Sequence, residues 1–270
     1  MSSPTAPHEK EKMQMRARSI ALFGATAAAL LASSGQQSTA AVLSSFNSPV
    51  VEDFNSLAST GTTSSTLPAS GWIFAESGTN ANATYTVGTG SSNSGDTYSF
   101  GATSATDRAL GGLRSGSLIS TIGAPYQNST GSTITELNIS YIGEQWRLGA
   151  TGRNDRLDFE YSTDAVSLTT GTWIPFDALD FIAPISTGTV GPLDGNAAAN
   201  SASVSASISG LNLASGSTIW VRFTDFDATS SDDGLAVDNF SVTAVPEPAT
   251  ACIALGACGL LIARQRGRRS

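Results

Sequence analysis

Two short segments constrain the fold more than anything else in the chain. In residues 135–142, Leu137, Ile139 and Tyr141 alternate with Glu136, Asn138 and Ser140. In residues 156–161, Leu157, Phe159 and Tyr161 alternate with Asp158 and Glu160. A period of two sends apolar side chains to one face and polar ones to the other, the mark of antiparallel strands with one wet face. Residues 202–208 repeat the pattern, with Val204 and Ile208 set against Ser203, Ser205 and Ser207. Residues 219–226 are apolar on both faces and predict a central strand. Shorter strands are expected at 50–54, 71–74, 85–87 and 98–100, and at 118–122, where Gly123 and Pro125 end the run. Residues 61–70 read as loop. In the last strand Leu235 and Val237 occupy odd positions but Phe240 and Val242 even ones, so an inserted residue, a β-bulge, is expected near Asp238-Asn239. Nothing sits at helical spacing. The pattern predicts an all-β chain, an antiparallel two-sheet sandwich with jelly-roll-like winding, as one domain over residues 41–244.

Both ends carry a different kind of sequence. Lys10, Lys12, Arg16 and Arg18 precede an apolar run over 20–32, and small residues follow. Residues 1–40 therefore read as a signal peptide forming a helix, with cleavage after Ala40 or Ala41; a retained anchor is the alternative, and Met13 and Met15 are alternative starts. At the other end, Val245-Pro246-Glu247-Pro248 leads into an uncharged apolar run and then Arg264, Arg266, Arg268 and Arg269. The prolines make an extended spacer. The run is about 13 to 15 residues, shorter than the roughly 17 to 25 that cross hydrocarbon comfortably. The arginines behind it favour a cytoplasmic end.

This order (Pro246-Glu247-Pro248, a short transmembrane helix over 249–263 and a basic tail over 264–270) resembles the PEP-CTERM sorting signal of Gram-negative bacteria, here spanning 245–270. The resemblance implies passage across the inner membrane, transient anchoring there, processing by signal peptidase and an exosortase, and delivery to the cell surface or extracellular (biofilm) matrix. An ordinary tail anchor is the alternative.

Between the two ends the chemistry is restricted. His8, Lys10, Lys12 and all methionines lie in the leader, and Cys252 and Cys258 lie in the C-terminal run. From Ala41 to Ala249 there is no His, Lys, Cys or Met, and six arginines stand against twenty acids, a net charge of −14. Triads and dyads that need imidazole are excluded, as are Schiff-base lysines and His/Cys zinc sites. So acidic a body is also a poor partner for nucleic acid.

The body is similar to a β-sandwich module that recurs in bacterial surface and secreted proteins. The matching stretches are Asp53-Phe54-Asn55-Ser56-Leu57, Gly143-Glu144-Gln145-Trp146-Arg147, Arg156 to Asp164, and Asp232 to Phe240. That resemblance implies a fold and an extracellular setting only.

Three sets of residues are candidates for chemistry. Asp225, Asp227, Asp232, Asp233 and Asp238 cluster in sequence, and Glu52 or Asp53 on the first strand could join Asp238 around a structural calcium, the one cofactor the sequence offers. A solvated acidic turn is the plain alternative. Trp146, with Arg147 and Glu144, could stack on a sugar ring; a core tryptophan with a polar rim is the alternative. Asp158 and Glu160, two apart on one strand face, have the spacing of a glycosidase pair, or are surface ion pairs with Arg153 and Arg156. The expectation is an exported, non-enzymatic surface protein, structural or associated with extracellular polysaccharide, with no catalytic residue. A calcium-dependent carbohydrate-binding module is the alternative, and a glycan hydrolase the third reading.

Overall fold

The computed structural model describes residues 38–246, apart from 62, 65, 66 and 70. The expected signal peptide up to residue 37, Glu247, Pro248, the apolar run and Arg264, Arg266, Arg268 and Arg269 lie outside the described residues. Among the described residues no helix is long and apolar enough to cross a membrane.

The strands are β1 (Ala41–Leu43), β2 (Pro49–Glu52), β3 (Thr63–Ser64), β4 (Ile73–Ser77), β5 (Tyr85–Gly88), β6 (Asp96–Phe100), β7 (Ala109–Leu113) and β8 (Ile119–Asn128). They continue with β9 (Ile134–Leu148), β10 (Arg156–Ser162), β11 (Ile174–Pro175), β12 (Phe181–Ile182), β13 (Gly191–Pro192), β14 (Ser201–Leu213), β15 (Thr218–Asp225) and β16 (Gly234–Val245). One sheet runs β1-β8-β15-β10-β11, with β4 also on β8 and β12 on β10. The other runs β13-β9-β16-β7-β6-β5-β3, with β14 also on β9 and β2 on β16. The chain changes sheet at each step from β8 to β10 and from β14 to β16, which is the jelly-roll-like wind.

The alternating segments face as their sequence requires. Leu137, Ile139, Tyr141, Leu157 and Phe159 are buried between the sheets with Phe223, Phe240 and Trp72. Phe54 and Phe240 meet the Trp72 ring edge-on at 4.9 and 5.1 Å, and Tyr141 meets Phe223 at 5.0 Å, geometry that aromatic quadrupoles favour. β15 is central, between β8 and β10. The bulge is present: on β16 Asp238 pairs with Ile142 and Ser241 with Ser140, so three steps on one strand match two on the other. Asn239 takes the left-handed φ of 49° that absorbs the extra residue.

Three expectations need correction. The strand expected at 50–54 is β2, preceded by β1, and it ends at Glu52 rather than Phe54, because Phe54 turns left-handed (φ 53°) to drop its ring into the core. Strand β8 runs on through Gly123 and Pro125 to Asn128. Along that flank β4 stops at Gly123 and β1 starts at Tyr126, so Pro125 falls in a gap where no ladder bond requires its missing N–H. The sheets are also not wholly antiparallel, since β1 pairs with β8, and β5 with β6, in parallel.

Candidate functional site: an arginine-lined cleft

At one end of the sandwich the close of β7, the close of β9 and the 230–232 loop before β16 surround a cleft of about 370 Å³. Arg114, Arg147, Asn93, Ser115, Ser230, Ser231 and Asp232 line it, with Val190 at its edge. The body holds few arginines, and local strand geometry places these two: each stands where a strand of the same sheet runs out, Arg114 after β7 and Arg147 one residue before β9 ends.

Beneath the cleft lies a buried polar layer. Asp233 accepts from the Gly149 N–H at 2.7 Å, from Gln145 Nε2 at 2.7 Å and from Arg153 Nη2 at 3.1 Å. Asp155 accepts from the Asp233 N–H at 2.7 Å and lies 3.2 Å from Arg153 Nη1. The Gln145 amide also grips both backbone groups of Ile185, at 2.8 and 2.9 Å. Arg114 donates its own N–H to Asp225 Oδ2 at 3.0 Å, and its guanidinium to the Asp225 carbonyl at 2.9 Å and to Asp227 at 3.3 Å. Asp232 accepts from the Ala228 N–H at 3.0 Å. Burial raises the carboxyls of Asp155 and Asp232 to about 6. It pushes Asp225 well above the usual range, with Asp155 and Asp232 adding repulsion. Asp225 Oδ1 is buried without a hydrogen-bond partner among the described residues.

Arg147 differs from the other surface arginines. Its Nη1 donates to the carbonyls of Gly90 at 3.0 Å and Ser91 at 3.4 Å, and among the described residues no carboxylate pairs with it. Arg108 also lacks a carboxylate, but it is buried against Ser99 and loop carbonyls. Arg147 is therefore an accessible guanidinium with charge to spare, on a body of net −14.

The residues singled out by sequence fall differently. Trp146 is only 2% exposed, stacked on Phe100 at 6.0 Å, with its Nε1 donating to Glu144 at 2.8 Å. Neither it nor Glu144 can offer a face to a sugar; of that trio only Arg147 reaches the surface. The seven candidate calcium ligands divide into two regions, since β2 pairs with β16, Glu52 lies opposite Phe240, and the Asp53 charge reaches Asp238. Asp225 and Asp233 belong to the buried layer below the cleft, Asp232 lines the cleft, and Asp227 is an exposed partner of Arg114 beside it. Asp238 lies on the outer face of the β9/β16 sheet near Glu144, holding the Asn239 N–H at 2.7 Å. Glu52 and Asp53 accept from the amides of Phe54 and Asn55 at 2.9 and 3.1 Å. Among the described residues no group of three or more such side chains is arranged to hold a metal. The place a cation would take between Asp155 and Asp233 is filled by Arg153. Asp158 is paired with Arg156, and Glu160 with Arg222 at 2.7 Å, while the expected Arg153 serves the buried layer instead. Sequence reading missed Arg114, Asp155 and Gln145, whose partners lie 111, 78 and 88 residues away, beyond any local pattern.

No family model matches the chain, and a search of curated proteins finds no relative. Solved structures of similar outline include TmCBM61 in complex with beta-1,4-galactotriose, at TM-score 0.30 and 9% identity, covering 51% of this chain and 71% of that one. The K3 cleaved adhesin domain of Lys-gingipain from Porphyromonas gingivalis gives TM-score 0.41 and 11% identity, covering 72% and 98%. The CBM22-1–GH10 modules of Clostridium thermocellum xylanase 10B complexed with xylohexaose give 0.33 and 12%, covering 76% of this chain but only 29% of theirs. A bacteriophage CBA120 tailspike domain is matched over 20% of its length. Scores this low transfer no ligand, activity or site to this chain.

Proposed function

We propose that this chain is an exported surface or matrix protein whose β-sandwich binds extracellular polysaccharide at the arginine-lined cleft without cleaving it. The observation that carries this reading is Arg147, an accessible guanidinium with no carboxylate partner among the described residues, beside serine hydroxyls and Asn93 on an otherwise acidic body. A guanidinium fork with hydroxyl and amide neighbours suits the diol edges of sugars and any carboxylate they bear. The lack of turnover is supported by Asp158 and Glu160, each engaged by its own arginine on a sheet face rather than poised across a cleft.

Titrating the protein with a neutral glucan and a polyuronate, each against the Arg147→Ala variant, tests the reading. Binding that falls at least tenfold in the variant, with an unchanged melting temperature, supports the cleft; binding that survives it removes the cleft from the account. Reducing-sugar release that persists through Glu160→Gln would speak for an enzyme whose carboxylates lie elsewhere.

Export rests on the terminal sequences. The signal-peptide pattern over residues 1–40 and the PEP-CTERM-like tail over 245–270 support delivery by signal peptidase and an exosortase. A cut after Ala40 would leave β1, which starts at Ala41, whole. Intact-mass spectrometry of the surface form from its native host is expected to show both ends removed; a molecule still carrying Arg269 would end the sorting proposal.

A further inference from the structure

Strand β14 is the longest strand with a free edge. From Ser201 to Ser209 it pairs with β9, and among the described residues nothing bonds to its other side. The ladder tells which amides are free. One step beyond the Ser201–Glu144 pair, the Gln145 N–H donates to the Asn200 carbonyl at 2.8 Å, so Asn200 and Gln145 form a hydrogen-bonded pair. Such pairs alternate in an antiparallel ladder. Ala202, Val204, Ala206 and Ile208 therefore direct their backbone groups to β9, and Ser201, Ser203, Ser205, Ser207 and Ser209 direct theirs outward. The close side-chain bonds of Ser207 to Asn138 (2.6 Å) and Ser209 to Glu136 (3.0 Å) fit the shorter spacing of the alternate pairs.

Exposed edges are normally protected by lysine, proline, inward charges or a bulge. Residues 201–209 contain none of these; the register shift comes only between Ser209 and Leu213. No charged residue lies between Asp194 and Arg222, although the body as a whole carries −14. Strand β14 itself therefore brings no charge to a second copy, although the short turn Asp177–Leu179 packs beside it and Glu136 accepts from Ser209 at its far end. The sequence also names its partner. Ser201-Ala202-Ser203-Val204-Ser205-Ala206-Ser207 reads the same in both directions about Val204. A two-fold axis at Val204 sets Ser203 against Ser205 of a second copy, Ser201 against Ser207 and Ala202 against Ala206. Every outward amide then meets an outward amide. A slip of one residue opposes outward groups to inward ones, and a slip of two sets Val204 against Ala202 and Ala206 against Asn200.

We propose that two copies of this chain associate edge to edge through antiparallel pairing of β14 about Val204. The pairing joins the two β9-containing sheets into one and covers the half-buried Val204 and Ala206. A seam this short belongs to the weak, reversible class of interfaces, and it strengthens where copies are held together on a surface. It does not depend on the cleft, so its failure leaves the polysaccharide reading untouched.

The test is sedimentation velocity on the full chain in mild detergent over a range of concentrations. The wild type is expected to dimerise reversibly. Ser203→Pro and Ser205→Pro remove an outward N–H while leaving the β9 ladder intact, so each is expected to weaken association at least tenfold and shift the melting temperature by only a few degrees. A second measurement does not depend on those variants folding well. In a C252S/C258S background V204C is expected to cross-link on oxidation, because Cα atoms in such a pair lie about 4.5 Å apart. A202C is expected not to, because Ala202 faces Ala206. A monomer at every concentration, association unchanged by both proline variants, or A202C linking as fast as V204C would each overturn the pairing.

Discussion

Gly111 on β7 pairs directly with Ala236 of β16. A Cβ there would lie 2.0 Å from the Leu235 carbonyl oxygen and 2.5 Å from the Ala236 Cα, both backbone atoms that cannot swing aside. Gly111→Ala is expected to cost about 3 kcal/mol, at the upper end of overpacking penalties. Gly131, with nothing within 4 Å of its Cβ position and a φ of 79°, should lose only about 1 kcal/mol on the same change. Chemical denaturation of the two variants side by side checks both values. Arg153 provides a third case. It is the counter-charge to two carboxylates that are almost wholly inside, Asp155 and Asp233. Arg153→Ala should destabilise by about 3 kcal/mol or more, since it strands buried charge, and acid should recover part of the loss by protonating the pair. Neither glycine stands out in the sequence, and Arg153 reads there only as a surface partner of Asp158 and Glu160. A glycine in a strand, or an arginine in a loop, acquires its meaning from an atom many residues away.

At the scale of single elements the sequence was far more legible. Period-two alternation read out β9, β10 and the core-facing half of β14, because each strand has one wet and one dry face. The parity switch in β16 located the bulge. That bulge gives its own prediction: with Asn239 at φ 49°, Asn239→Gly should be nearly neutral, and Asn239→Val should cost about 1–2 kcal/mol, measured by thermal melts. Short or interrupted strands were read less well. Pro125 looked like a terminator because sequence cannot reveal a gap between two neighbouring strands. The candidate site was the least legible part. Of the cleft lining the sequence marks only Arg147 and Asp232, and Trp146 misleads because an indole beside charged residues reads alike whether it faces solvent or a small core formed with Phe100 and Tyr98.

For the molecule as a whole, the balance of charge shows itself in pH dependence. Glu144 and Asp238, each about 4% exposed and near one another on the outer face of one sheet, are both raised to about 7, chiefly by burial. For Asp238 the Glu144 charge is the next cause. A carboxyl that holds its proton more tightly when folded than when unfolded contributes stability below its unfolded value, and that contribution is lost as pH rises through the folded one. The free energy of unfolding should therefore be greatest near pH 5 and fall towards pH 8 by an amount on the order of 3 kcal/mol, and the melting temperature should fall with it. The double variant Glu144→Gln/Asp238→Asn should flatten the curve. A wild-type profile that rises over that interval would contradict the burial of these two groups.

The last strand has a mechanical consequence. β16 runs through the middle of its sheet, bonded to β9 on one flank and to β7 and β2 on the other, and these ladders continue to Thr243 and Val245, immediately before Pro246. Tension entering through Pro246 is directed along that strand and loads many cross-strand bonds together in shear, rather than peeling them one after another. A molecule pulled from this end should yield abruptly and at high force.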